Sequence, residues 1–223
     1  MASTRSRVHP ARGILVVLAS LTCLPIAAQT PVGTPCSGLF YDTNTAVGLV
    51  SMTGQGTNLI LQRFAPGSPA FRVTSVCVAG IRAQGGSGAY EIAIYSDAGG
   101  VPGTRLAVVP ASTAAPQAAT TWMTTDVSGS DVVTSGPFWA GIRESGPQVV
   151  VASGAPNAAT ALATSSSDGA SWGFVAGSDR TVLVRVSGQE VGGIGVVPAL
   201  PRSGLAALAL ALAIGGTALL KRA

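Results

Sequence analysis

The side chains in this sequence that could do chemistry are few, and the ones most enzymes rely on are missing. The chain has 223 residues, with one histidine, His9, and one lysine, Lys221, each near an end. Residues 29–196 therefore contain no imidazole and no amine side chain. A Ser-His-Asp or Cys-His arrangement cannot be assembled within one such chain, and a His-ligated zinc or haem site is equally excluded. Glu91, Glu144 and Glu190 are the only glutamates. A glycoside-cleaving pair needs an acid and a second carboxylate at a set separation, and nothing in their spacing marks one. No catalytic residue, cofactor or metal is assigned. Ser96, Asp97 and neighbouring carbonyls could hold Ca²⁺, but one carboxylate stands where several are usual, so the stretch reads as a bare turn. Three tryptophans could stack on sugar rings. Trp139 sits in a strongly apolar run and reads as core. Trp172 follows the polar loop 165–169 and is the candidate ligand-binding residue.

Cys36 and Cys77 are the only cysteines in the same span. In an exported chain they are expected to pair; two free buried thiols are the alternative. Closing a loop of about 40 residues contributes roughly 4 kcal/mol on the chain-entropy model. Residues 29–196 hold seven arginines and nine carboxylates, a balance of −2, so the formal +4 of the whole chain comes from its ends. A nucleic-acid surface needs clustered cations, and that function class falls.

The elements that must position these residues are short. Alternating runs between turn signals are expected at 46–52, 58–64, 71–82, 89–96, 105–109, 120–127, 137–144, 148–153, 171–175 and 181–187. This is the pattern of an all-β, antiparallel sandwich of jelly-roll-like type over residues 29–191. Tyr90, Ile92 and Ile94 share one parity and face the core, which puts Glu91 on the opposite face. Val182, Val184 and Val186 likewise share a face, with Arg185 on the other. Asp97 to Gly100 is turn chemistry, and Pro102-Gly103 is expected at the centre of a type II turn. Residues 192–196 read as a glycine-rich linker.

The two ends carry addresses. Arg5, Arg7 and Arg12 precede the apolar run 13–24, Pro25 breaks it, and Ile26, Ala27 and Ala28 offer small residues for a cut before Gln29. Residues 1–28 read as a signal peptide with a short signal helix. At the other end, residues 205–220 run without charge and give about 24 Å of helix, against a hydrocarbon core of roughly 30 Å. Ser203 and Gly204 can extend this transmembrane helix, and Lys221 and Arg222 can snorkel to headgroups as a membrane stop. The two cations favour a cytoplasmic terminus, so membrane lipid is an expected partner.

Residues 197–223 resemble the IPTL-type C-terminal sorting signals of exported bacterial proteins, relatives of the PEP-CTERM signals. Val197, Pro198, Leu200 and Gly204 fit that motif, while Ala199, Pro201, Arg202 and Ser203 stand where the family has other residues. Residues 200–204 (LPRSG) also resemble a sortase motif of LPxTG type, with Ser203 for threonine. Either resemblance implies a processing partner, exosortase-like or sortase-like, and passage through the inner membrane to the cell surface or extracellular matrix. The string YEIAIYSDAGGVPGTRL at 90–106, with Phe138-Trp139-Ala140-Gly141-Ile142, resembles the β-sandwich ectodomains called choice-of-anchor domains. That resemblance implies fold and surface display, and no common activity.

Three functions are open to such a chain. The first is a non-catalytic, surface-displayed sandwich with an envelope, matrix or adhesion role. The second is a carbohydrate-binding module whose partner is a surface polysaccharide, and the third a glycoside-acting enzyme with paired carboxylates.

Overall fold

A computed structural model describes residues 22–51, 58–83, 85–111, 115–144, 149–157, 160–165, 167–176 and 181–191. They form fourteen strands: β1 (Thr22–Gln29), β2 (Ala46–Ser51), β3 (Asn58–Phe64), β4 (Phe71–Arg82), β5 (Glu91–Asp97), β6 (Pro102–Pro110) and β7 (Thr121–Asp126). The chain continues through β8 (Val133–Thr134), β9 (Phe138–Glu144), β10 (Val149–Gly154), β11 (Ala161–Ser165), β12 (Gly173–Ala176), β13 (Thr181–Val182) and β14 (Val184–Glu190). A single 3₁₀ turn, Ser128–Ser130, interrupts them, and the described residues contain no α-helix. The fold is all-β with two antiparallel sheets.

The first sheet runs β1-β2-β10-β4-β14, with β13 on β10 and both β7 and β8 on β4. Its axis is the twelve-residue β4, where Val76 pairs with Val186 on one side and Thr125 on the other. The second sheet runs β12-β11-β3-β9-β5-β6. Its middle three strands are in register through Ile60, Ile142 and Ile92. Gly141 sits beside that row because a Cβ there would meet the Ile60 carbonyl oxygen at 2.1 Å.

Inward-facing residues build the core between the sheets, and the inward parity of β4 changes between Val73 and Val76, where its pairing with β14 shifts register. Val73, Val76 and Val78 of β4, with Val182, Val184 and Val186, face Ile60, Phe64, Ile92, Ile94, Phe138 and Ile142. Burying each such side chain is worth about 2–3 kcal/mol. Tyr41, Phe64, Phe138 and Phe71 form a chain of stacked rings through it, at 5.7, 5.7 and 6.2 Å. The predicted inward faces of 90–94 and 182–186 are both found here.

Both sheets are also buried on their outer faces, which explains strands whose two parities are alike apolar. Cys36, Ala46, Cys77, Ala79, Trp122, Ala152 and Leu183 form one outer cluster. Leu59, Leu61, Ala93, Tyr95, Trp139 and Ala163 form the other.

Several expectations are corrected. The turn after β5 is made by residues 98–101, with the Ala98 N–H donating to the Val101 carbonyl and positive φ at Gly99 and Gly100. Pro102 and Gly103 already belong to β6, because Pro102 pairs with Asp97. Leu183 divides the expected strand 181–187: its N–H donates to Ala152 and its carbonyl accepts from Ala79. Strands β8 and β11 were not anticipated, the first for its length and the second for want of alternation. Residues 1–21 of the expected signal peptide lie outside the described residues, and its remainder falls in the edge strand β1 on β2. The linker 192–196 and the segment 197–223 lie outside the described residues.

Candidate functional site

Charge on the outer face of the second sheet is gathered into two knots. In the first, Arg63 of β3 donates through Nε and Nη2 to both oxygens of Asp97 at 2.7 and 3.0 Å. The Trp139 indole N–H reaches the same carboxylate at 2.8 Å, and the Gly100 backbone N–H reaches it at 3.0 Å. The arginine hydrogen bonds hold the Asp97 carboxyl down at about 2, against the opposing pull of burial. Its lone pairs serve arginine, indole and turn, leaving little for a cation. Among the described residues no three histidine, cysteine, aspartate or glutamate side chains gather as a metal-holding group.

The second knot centres on Arg143 of β9. Its guanidinium donates to Glu91 and, through Nε at 2.9 Å and Nη2 at 3.2 Å, to Asp168. Arg105 of β6 reaches Asp168 at 3.4 Å. Asp168 takes a left-handed φ of 52° in the turn between β11 and β12, which brings its carboxylate back over the sheet. The Arg143 hydrogen bonds lower the Asp168 carboxyl and raise the Arg143 guanidinium. Arg105, Leu106, Ala107, Val108 and Arg143 line an open depression of about 360 Å³ beside this knot. Two arginines and two carboxylates there leave no net charge to attract an ion.

Trp172, the predicted ligand-binding residue, lies on this same face, half-buried, its ring edge-on to Tyr95 at 5.3 Å. Phe174, which was not singled out from the sequence, is the more exposed ring at 50%. Trp139 is fully buried as expected, on the outer face of its sheet and not between the two.

The outer face of the first sheet is closed by the chain between β1 and β2. Cys36 and Cys77 are disulfide-bonded, with Cα atoms 5.6 Å apart, which realises the predicted pair. Arg185, facing away from the core valines as predicted, is the register partner of Cys77. It is buried against Asp42, with Nε to Oδ2 at 3.0 Å. Its guanidinium lies 4.5 Å from the Phe40 ring centre and 4.9 Å from that of Trp122. The Trp122 indole donates to Asn44 at 3.0 Å.

The three glutamates are not brought together. Glu91 and Glu144 belong to adjacent strands but to opposite faces: Glu91 is held outside by Arg143, and Glu144 is 4% exposed and turned inward. Glu190 is exposed at the end of β14. Burial pushes the Glu144 carboxyl up to about 8, opposed by the Val149 N–H that donates to it. Glu144 Oε1 and both ends of the Gln62 amide have no hydrogen-bond partner among the described residues. The sorting residues Val197, Pro198, Ala199, Leu200 and Gly204 and the membrane-stop residues Lys221 and Arg222 lie outside the described residues.

Sequence reading missed the Arg143–Asp168 and Arg185–Asp42 pairs. Their only local signal is a lone arginine inside an apolar strand, which implies a partner without naming it.

The geometry defines a two-sheet antiparallel β-protein with a covered outer face on each sheet. Comparison with family models, with curated proteins and with solved structures found no match.

Proposed function

We propose that this chain is a non-catalytic, surface-displayed β-sandwich of jelly-roll-like type. It is exported by its N-terminal signal and sorted through residues 197–223, and it serves an envelope, matrix or adhesion role. One observation carries the non-catalytic part: the charged groups of the second sheet's outer face neutralise one another in closed knots. A catalytic carboxylate pair needs a proton-giving member and a second carboxylate facing one site, whereas Asp97 and Asp168 are both held ionised by arginine and the raised carboxyl of Glu144 is buried on the opposite face. The display part rests on the sequence. An uncharged run of sixteen residues (205–220) has no polar face for water, so lipid is its natural surroundings.

An epitope-tagged chain in an exporting bacterium tests this. Removing residues 197–223 should move the protein from the cell envelope to the medium. Pro198→Ala should leave uncut precursor in the inner membrane, held for an exosortase-like or sortase-like enzyme. Unchanged location after the deletion ends the sorting reading.

A second reading, carbohydrate binding, is favoured by Trp172 and Phe174 sharing the outer face with an open depression. A glycan panel distinguishes it: binding to a surface polysaccharide that Phe174→Ala abolishes supports the module.

A further inference from the structure

Strand β1 covers the outer edge of β2 in a regular antiparallel ladder, with Thr22 opposite Ser51, Cys23 opposite Val50, Leu24 opposite Leu49 and Pro25 opposite Gly48. The register then breaks, and pairing resumes only at Gln29 opposite Ala46. Residues 26–28 thus form a bulge, and Ala27, Ala28 and Gln29 are exposed on it. A cut between Ala28 and Gln29 would fall in this bulge and remove every β1 residue of the ladder except Gln29. Gln29 itself stays tied to the fold, because its side chain donates to Thr120 Oγ1 at 2.9 Å.

The edge so uncovered is unusual in its lack of protection. Exposed edges normally carry a charge, a proline or a covering segment against pairing with other chains. Ala46–Ser51 (AVGLVS) has no charge and no proline, and the nearest charged residues along the chain are Asp42 and Arg63. Other edges are defended, β14 by Leu39, whose N–H and carbonyl both pair with Val186. Strand β7 is covered by Val32, whose N–H donates to Thr120 and whose carbonyl accepts from Trp122. Strand β6 carries Arg105 and begins and ends with proline, and β12 is four residues long.

We propose that removal of residues 1–28 opens the β2 edge, and that the β2 edge of a second copy of the mature chain fills it, antiparallel, in a two-fold dimer. The inference rests on the signal-peptide reading. The occupant is argued from self-complementarity: a two-fold contact sets the same strand against itself, and an uncharged strand can be so opposed without like-charge repulsion. Val47, 38% exposed, stands beside the contact. The result is one continuous sheet across two copies, held by the backbone groups that β1 satisfied before the cut.

The test uses the full chain expressed in an exporting bacterium, solubilised in mild detergent at micromolar concentration. Its N-terminus is read by mass spectrometry and its protein mass by light scattering. The expected result is a chain starting at Gln29 with the mass of a dimer. Val47→Lys, which sets two cations across the two-fold contact, should shift it to a monomer of unchanged far-UV spectrum. Ala28→Phe, which blocks the cut, should keep β1 in place and give a monomer. A chain that starts at Gln29 and is monomeric overturns the dimer while leaving the signal reading intact. So does a dimer that survives Val47→Lys, or a mature chain that holds a different protein in place of its own copy. A chain that retains residues 22–28 overturns the signal reading and with it the proposal.

Discussion

Arg185 and Asp42 lie 143 positions apart in the sequence and form a buried ion pair, its two side chains 9% and 0% exposed. The pair does what the disulfide does: it fixes the chain before β2 across the outer face of the first sheet. Phe40 and Trp122 cover the guanidinium, so water cannot replace either partner if the other is lost.

The first prediction follows from that cover. Asp42→Ala leaves an uncompensated buried cation, which costs about 3–5 kcal/mol. The comparison is Asp131→Ala, which breaks the pair with Arg72, where both side chains are open to water and the cost is about 0–1 kcal/mol. Urea unfolding of the two variants should separate them clearly. Equal midpoints would mean that Arg185 finds another partner.

The disulfide gives the second prediction. Cys36 and Cys77 enclose a separation of 41 residues, so reducing the bond should lower stability by roughly 4 kcal/mol. Its loss should also loosen the contact of Leu39 with Val186, where each N–H donates to the other's carbonyl. Hydrogen exchange at those two amides, with and without reductant, reads this directly. Protection unchanged on reduction would show that the Arg185–Asp42 pair holds the segment alone.

Legibility from sequence followed the range of the interactions. Strands such as Phe71–Arg82 and Val184–Glu190 were readable because valines recur at alternate positions in part of each, Val76 with Val78 and Val184 with Val186. The Pro102-Gly103 turn was misplaced because turn chemistry fills the whole stretch 97–103. Only strand pairing, with Pro102 opposite Asp97, decides where the chain reverses. The pairs of Asp42, Asp97 and Asp168 with their arginines join residues 25 to 143 positions apart, with no periodic signal to link them. A lone arginine in a valine-rich strand says that a carboxylate must be near, but the topology decides which one. Asp168 was visible only as part of a polar loop, and its reach to Arg143 depends on its left-handed backbone.

The third prediction concerns acid. The Asp97 carboxyl is lowered to about 2 by Arg63, below its ordinary value of 3.8. A depressed carboxyl stabilises the fold above its unfolded value, and that stability is lost as pH falls through its folded one. Stability should therefore drop between about pH 4 and pH 2, and Asp97→Asn should flatten this part of the curve. Chemical unfolding at several pH values measures it. A variant that keeps the full acid slope would assign the loss to other carboxylates.

The last prediction has the opposite sign. Glu144 is buried, one of its oxygens has no hydrogen-bond partner among the described residues, and its carboxyl is raised from 4.5 to about 8. The folded state then holds a proton that the unfolded chain gives up above about pH 4.5. Between those two values folding must take up a proton, so stability falls as pH rises. Glu144→Gln keeps the volume and an acceptor for the Val149 N–H, and it has no proton to lose. The variant should match the parent near pH 4 and exceed it by a few kcal/mol near pH 8. Its stability should also be flatter across that interval. Unfolding midpoints of both chains at pH 4, 6 and 8 would show the two curves diverging upward. Parallel curves would mean that Glu144 ionises in the fold as freely as it does in the unfolded chain.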